Sequence, residues 1–391
     1  MICESINNNL KNNFDFLNNH EKINLLIKVN EVLKINISQK NNLIFVYSAP
    51  KVGSTSIVSS LRIFCSEKYD IIHIHDEEML RVLGSIEGIT INELILYNKY
   101  LGKNIFVIDV FRSPIERKIS TFFEKIGSYH FNTEDKNINN YNVNKVINRF
   151  NNIFLYIGLG DHFIDKYNID IPTTFDFNNK YLLIESNGIN YIKLRLKDSE
   201  IWGNILTNIF GIQMNIVKDY ETKNKPIKDI FNNFNSNYRI PINLLDEVMK
   251  CKYLNYYYSQ EELNEYYTFW LSKITNSASI YSIDQYKLYN EITLENVNID
   301  NIQVDHYLDE GCQCKACLLK RKELAYKINL GKNVTERVNH IEAKTQLINK
   351  RSIQINQLNN QLNNLINNIK SKKQPKNFNK DMKNIISNNL R

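Results

Sequence analysis

Four things are scarce or missing in this chain of 391 residues, and each absence narrows what it can be. No run approaches the roughly 18 apolar residues that a membrane-spanning helix requires. Nothing near Met1 joins a basic start to an apolar core in the manner of a secretory leader, so the expected address is cytoplasmic. Cysteine is sparse, with six in all and three of them bunched at Cys312, Cys314 and Cys317, which is not the layout of a secreted disulfide framework. Glycine and proline number only 12 and 6. The accompanying wealth of Asn, Ile, Lys and Tyr reads as coding bias, so asparagine counts carry little functional weight.

A general excess of positive charge is also missing from most of the chain. The formal net charge is +7, yet Gly331 to Arg391 alone holds 12 Lys or Arg against 3 Asp or Glu, leaving 37 basic and 39 acidic residues elsewhere. The basic character belongs to the tail, and the main body is not a general polyanion binder; nucleic acid is not an expected partner. With 43% hydrophobic and 23% charged residues, the remainder has the composition of a globular protein able to bury a sizeable core.

The periodicity divides the chain into five stretches. Residues 1–40 read as a polar helical segment, with Leu17, Ile23, Leu26, Ile27, Val32 and Leu33 at rough helical spacing. From 41 to 275 the pattern alternates: strands are expected at Leu43 to Tyr47, Tyr69 to Ile74 and Ile105 to Phe111, with helices over Ile57 to Phe64 and, after Pro114, over Ile115 to Ile126. Continuous apolar strands between helices predict an α/β domain with a mostly parallel sheet. Asn132 to Asn152 reads as a polar insert. Tyr181 to Glu185 and Tyr191 to Leu196 read as an edge pair about an Asn187-Gly188 turn, and the chain is mainly helical from Trp202 to about Thr275.

Residues 276–330 form a connector containing the cysteine cluster. Residues 331–373 carry apolar positions spaced alternately four and three from Val334, with a three-residue slip between Ile355 and Leu358, as in a coiled coil rather than a core helix. Thr345 and Ser352 weaken its seam, and a homo-oligomer through this segment is the expected assembly. Residues 374–391 are a basic flexible tail.

The first candidate site is Ile44 to Leu61, IFVYSAPKVGSTSIVSSL, where a buried strand passes through a hydroxyl-rich loop into a helix. Unpaired N–H groups at a helix start attract anions. Gly53 permits close backbone approach, Lys51 adds a cation, and Ser54, Thr55 and Ser56 add donors. The expected guest is a phosphate or a group of that shape. The Walker pattern G-x-x-x-x-G-K-[ST] is absent, because the lysine precedes the glycine, although Asp109 at the end of IFVID could imitate a Mg²⁺-holding carboxylate.

A second candidate lies about 60 residues on, at VFRSPIERKISTF from Val110 to Phe122. Arg112 ends a buried strand and Ser120 lies on the next helix, so both can converge on one phosphate beside the first loop. The alternative for Arg112 is an ion pair at the strand end. Arg117 either joins the phosphate or pairs with Glu116 or Glu124.

These two motifs together resemble the sulfotransferases that use 3′-phosphoadenosine 5′-phosphosulfate (PAPS), and above all their carbohydrate-sulfating branch. The chain is also similar to capsular-polysaccharide synthesis proteins that share the two loops. PKVGSTS from Pro50 to Ser56 matches the 5′-phosphosulfate loop, and VFRSPIERKISTF matches the 3′-phosphate motif. The resemblance covers about residues 40 to 275. It implies a P-loop-like three-layer sandwich, with PAPS as donor held by Lys51, Gly53, Ser54, Thr55, Ser56, Arg112 and Ser120. It also implies transfer of a sulfuryl group to a saccharide or polysaccharide hydroxyl without a metal.

The acceptor must lose a proton, and Ile71 to Asp76, IIHIHD, offers His73 and His75 on one face of a strand. A His-x-His here also resembles the base region of some glycosaminoglycan sulfotransferases, whereas other branches use Glu. His75 is the expected base, with His73 as helper or alternative and Asp76 or Glu77 behind them; a surface or core histidine is the plain alternative. Lys197, Asp198 and Trp202 are candidates for the acceptor cleft or, equally, for a helix cap and core packing. His306 with Cys312, Cys314 and Cys317 makes a Cys₃His set able to enclose a structural Zn²⁺, or a cluster of reduced thiols. Two rival functions stand beside the sulfotransferase: a P-loop nucleotide kinase or NTPase, and a non-enzymatic coiled-coil scaffold with a degenerate nucleotide site.

Overall fold

A computed structural model describes residues 14–35, 40–131, 135–156, 160–218, 226–276 and isolated positions up to 286. The chain falls into two units, Met1–Glu323 and Leu324–Arg391, and every described residue belongs to the first. The Cys₃His set, the heptad segment and the basic tail all lie outside the described residues.

Five strands build the main sheet: β1 Asn42–Tyr47, β2 Tyr69–Ile74, β3 Asn104–Phe111, β4 Tyr181–Ser186 and β5 Ile189–Arg195, in the order β2-β1-β3-β5-β4. β1, β2, β3 and β5 are parallel, and only the edge strand β4 runs against its neighbour. This is the mostly parallel α/β sheet that the apolar runs predict. Asn187 and Gly188 make the β4–β5 turn with φ of 54 and 68, the double left-handed geometry of a tight hairpin that Asn-Gly favours.

Alternate residues of each strand feed two cores, which explains why β1 from Leu43 and β3 from Ile105 are apolar but for Asp109. Leu43, Phe45, Tyr47, Ile105, Val107 and Phe111 face one core. On that side stand helices α1 His20–Val32, α3 Glu77–Gly84, α4 Ile91–Tyr100 and α5 Pro114–Phe122. Ile44, Val46, Ile108, Val110, Ile192 and Leu194 face the other core, against α2 Ser54–Phe64 and, farther along the chain, Trp202–Phe210. A sheet covered on both faces cannot alternate polar with apolar residues.

The stretch read as a polar insert, Asn132 to Asn152, is in part a helix, α6 Val143–Ile153. Its Val146, Phe150 and Ile153 are buried while its Asn residues dilute the apolar signal. The helical region that follows the hairpin comprises α7 Trp202–Phe210, α8 Lys228–Asn237, α9 Ile242–Met249, α10 Lys252–Tyr257 and α11 Gln260–Leu271. A two-stranded parallel bridge, Ile240–Pro241 with Ile274–Thr275, sits within this mainly helical region. Helix α5 ends at Phe122, four residues before the expected Ile126, and Lys125 takes a left-handed φ of 51 just beyond it. No helix among the described residues is long and apolar enough to cross a membrane.

Candidate functional site

Because β1, β2, β3 and β5 are parallel and in register, their carboxyl ends share one sheet edge. The segments leaving that edge are Ser48–Gly53, His75–Asp76, Arg112–Ser113 and Leu196–Ile201. Ligands of open α/β sheets collect at such edges. Both sequence motifs and the His-x-His therefore arrive at one place, although they are distant along the chain.

The first loop is shaped by two unusual backbone positions. Lys51 has φ 67 and Gly53 has φ 93, the latter as the residue capping α2. A Cβ on Gly53 would lie 2.8 Å from Leu196 Cδ1 and 3.5 Å from Trp202 Cη2, so the side chains after β5 press on the loop from behind. No side chain caps the start of α2, and Ser56 N donates to the Gly53 carbonyl at 3.2 Å; the N–H groups at a helix start are a general attraction for anions. Ser54 is buried, and Thr55 and Ser56 are half-buried.

The second motif joins the first through one hydrogen bond. Arg112 Nη1 donates to the Lys51 carbonyl at 3.0 Å, while Arg112 Nε is buried with no partner among the described residues. Ser48 Oγ, at the root of the first loop, is likewise buried and unpartnered. Two orphaned polar atoms beside an uncapped helix start are what an anion site leaves when protein groups alone are counted. Burial, and after it Arg117, hold the Arg112 guanidinium below its ordinary range, partly offset by Glu116. Ser120 is half-buried with no side-chain partner among the described residues.

Arg117 does not take part. It is buried, and its Nη1 donates to the Gly160 carbonyl at 2.5 Å. Glu116 also points inward, accepting from Tyr266 Oη at 3.0 Å and Trp270 Nε1 at 3.1 Å. The ion pairs considered for Arg117 with Glu116 or Glu124 are thus not formed; Glu124 stands 3.6 Å from Lys51 Nζ instead.

The histidines sit directly against the loop. His73 Nε2 is 3.1 Å from Ser54 Oγ, and its ring meets that of His75 edge-on at 4.6 Å. Burial, then His75 and Arg62, push His73 down to about 4, so it is neutral near pH 7. His75 Nδ1 lies 2.7 Å from the Ser48 carbonyl. A carbonyl only accepts, so Nδ1 carries the proton and neutral His75 keeps its lone pair on Nε2. Behind it, His162 Nε2 donates to the His75 carbonyl at 2.5 Å. Sequence reasoning missed His162, which lies 87 residues away and has no motif around it. Of the reserve carboxylates, Glu77 is drawn off into bonds with Tyr47 Oη, Ile91 N and Lys166 Nζ, while Asp76 begins α3.

Four other candidate residues meet a structural use. Asp109 stands opposite Lys193 in the β3–β5 ladder, and Lys193 Nζ donates to Asp109 Oδ2 at 2.6 Å and to Asp161 Oδ2, all three fully buried or nearly so. Asp109 is thereby committed to a core ion triad and is not a free Mg²⁺ carboxylate. Asp198 pairs with buried Arg195 at 2.6 Å, and Trp202 is 1% exposed with Nε1 donating to the Arg195 carbonyl. Lys197 is bonded to Glu262 at 2.6 Å. So Asp198 is held in an ion pair with Arg195, and Trp202 packs in the core behind Gly53. No group of three or more metal-ligating side chains occurs among the described residues.

No family model, curated protein or solved structure matches the chain.

Proposed function

We propose that this protein is a PAPS-dependent sulfotransferase with a P-loop-like three-layer sandwich, moving a sulfuryl group onto a hydroxyl of a saccharide or polysaccharide acceptor. The observation that carries the reading is the junction of its two loops: Arg112 tied to Lys51, with the orphaned Arg112 Nε and Ser48 Oγ beside the uncapped start of α2. These groups fit an adenosine carrying anionic groups at both 3′ and 5′ positions. Arg112 and Ser120 would take the 3′-phosphate. Lys51, Gly53, Ser54, Thr55 and Ser56 would take the 5′-phosphosulfate.

In the transfer, the sulfur leaves the bridging oxygen of the nucleotide and bonds to the acceptor oxygen, so negative charge grows on the departing phosphate. Lys51 and the amides of the loop answer that charge without reorganising. The acceptor's proton passes to His75 Nε2, the one ring nitrogen whose lone pair the Ser48 contact leaves open. His73 serves a different end: held neutral and bonded to Ser54, it orients that hydroxyl toward the anion. A cytoplasmic address and oligomerisation through the heptad segment belong to the same proposal.

The kinase reading requires a carboxylate at the end of β3 free for Mg²⁺, and the Lys193 pair removes that support. Calorimetric titration with 3′,5′-adenosine bisphosphate, 5′-AMP and ATP with Mg²⁺ decides the matter. The bisphosphate alone should bind tightly; preference for ATP with Mg²⁺ would sink the proposal, and silence toward all three would favour the scaffold.

A further inference from the structure

A carboxylate already stands against the cation of the phosphate loop. Glu124 Oε1 lies 3.6 Å from Lys51 Nζ, with the lysine side chain 12% exposed and the glutamate 36%. Glu124 follows the last residues of α5, where its N–H donates to the Thr121 carbonyl at 3.1 Å and the left-handed Lys125 turns the chain away. That is the negative end of a helix, and α5 has no basic residue in its last turn. A carboxylate there is disfavoured by the helix dipole. Lys51 is its only ion partner among the described residues.

The position is also telling. Lys51 is bound through its carbonyl to Arg112, at the head of the segment leading into α5, and through its ammonium to Glu124, at the tail of that helix. The backbone tie fixes where the loop sits; the ammonium contact is long and partly open to solvent, so it can be exchanged for another anion at little cost.

We propose that Glu124 is a displaceable counter-ion of Lys51, a positioning residue that gives up the ammonium when an anionic nucleotide enters and recovers it as the product leaves. This rests on the reading that the loop binds the 5′-anion of a nucleotide. In the free protein the contact keeps Lys51 extended into the site and balances its charge. Once the sulfuryl group has gone, the remaining nucleotide bisphosphate still carries both phosphates, and its release opposes turnover. A carboxylate competing for Lys51 weakens that hold, so its effect falls mainly on the dissociation rate.

The test is binding of 3′,5′-adenosine bisphosphate to wild type and Glu124→Gln, by calorimetry and by stopped-flow dissociation, repeated in a Lys51→Met background. Glu124→Gln should tighten binding about 1.5- to 5-fold through slower dissociation, as expected for loss of a part-exposed competing pair. The gain should shrink when Lys51 is absent. Unchanged or weaker binding, or an equal gain without Lys51, overturns the inference while leaving the sulfotransferase reading in place. If wild type does not bind the bisphosphate, that reading fails, and inorganic pyrophosphate becomes the probe: tightening by Glu124→Gln keeps the displaceable contact, and no change or no binding overturns it.

Discussion

Arg112 Nη1 donates to the backbone carbonyl of Lys51 at 3.0 Å, joining the turn after β3 to the turn after β1. A side chain bonded to a carbonyl that itself sits at φ 67 makes the shape of one loop depend on the other. The two loops are therefore coupled, and disturbing either should be felt by the other.

Replacing Arg112 with Ala should cost about 1.5–3 kcal/mol of bisphosphate affinity, the range for a charge-assisted hydrogen bond, or roughly 10- to 150-fold in Kd. Arg112→Lys should recover little of this, because a point charge cannot both hold the Lys51 carbonyl and present a second donor. Titration calorimetry reads both; wild-type affinity in Arg112→Ala would mean that the guanidinium is structural only.

His75→Ala and His73→Ala should separate in kinetics. Losing the base should lower kcat by about 10²- to 10⁴-fold with donor affinity intact. Losing His73 frees Ser54 Oγ from its 3.1 Å contact and should weaken donor binding with a smaller effect on kcat. Initial rates with varied donor, set beside bisphosphate Kd values, distinguish the two; equal losses in both variants would contradict the assigned roles.

Gly53→Ala places a side chain at φ 93 and brings its Cβ to 2.8 Å from Leu196 Cδ1. Leu196 can yield, but the left-handed backbone cannot be relieved in place and costs about 1–2 kcal/mol. Urea unfolding should show that loss, and anion binding should fall with it as the loop relaxes toward negative φ. An unchanged urea midpoint would place the strain elsewhere.

Lys193→Met leaves Asp109 and Asp161 facing each other in the core without their cation. Burial already pushes Asp161 up against the pull of Lys193. Breaking such a buried set costs about 3–5 kcal/mol, and the loss should be smaller at acidic pH, where a carboxylate can take up a proton. Thermal unfolding at two pH values tests this; equal stability to wild type at neutral pH would show the triad to be dispensable.

Acid should weaken the fold through three wholly or partly buried histidines. Burial holds His73 and His162 down to about 4 and His130 down to about 3, against an ordinary value of 6.5. The unfolded chain then binds more protons than the folded one across this window. Their contribution is fully present above 6.5 and is lost as the pH falls toward 4. Asp161, raised by burial, acts in the opposite sense but is one group against three. Imidazole NMR titration of the folded protein should show midpoints below 5 for all three; a midpoint near 6.5 for His73 would remove its tie to Ser54.

The strands and the order of the two loops were legible in the sequence, because a strand buried on both faces is apolar in most positions and a hydroxyl-rich loop has a local composition. Local signals also set Pro114 at the start of α5 and Asn187-Gly188 at the hairpin. Tertiary structure decided the rest. Asp109, Asp198 and Trp202 looked functional by type, and their uses were fixed by partners elsewhere in the fold: Lys193, Arg195 and the rear of the Gly53 loop. His162 and Glu124 carry no motif, and only packing brings one behind His75 and the other against Lys51. Side-chain chemistry is written residue by residue, but whether a charge is spent in the core or kept for a ligand depends on distances the fold alone sets.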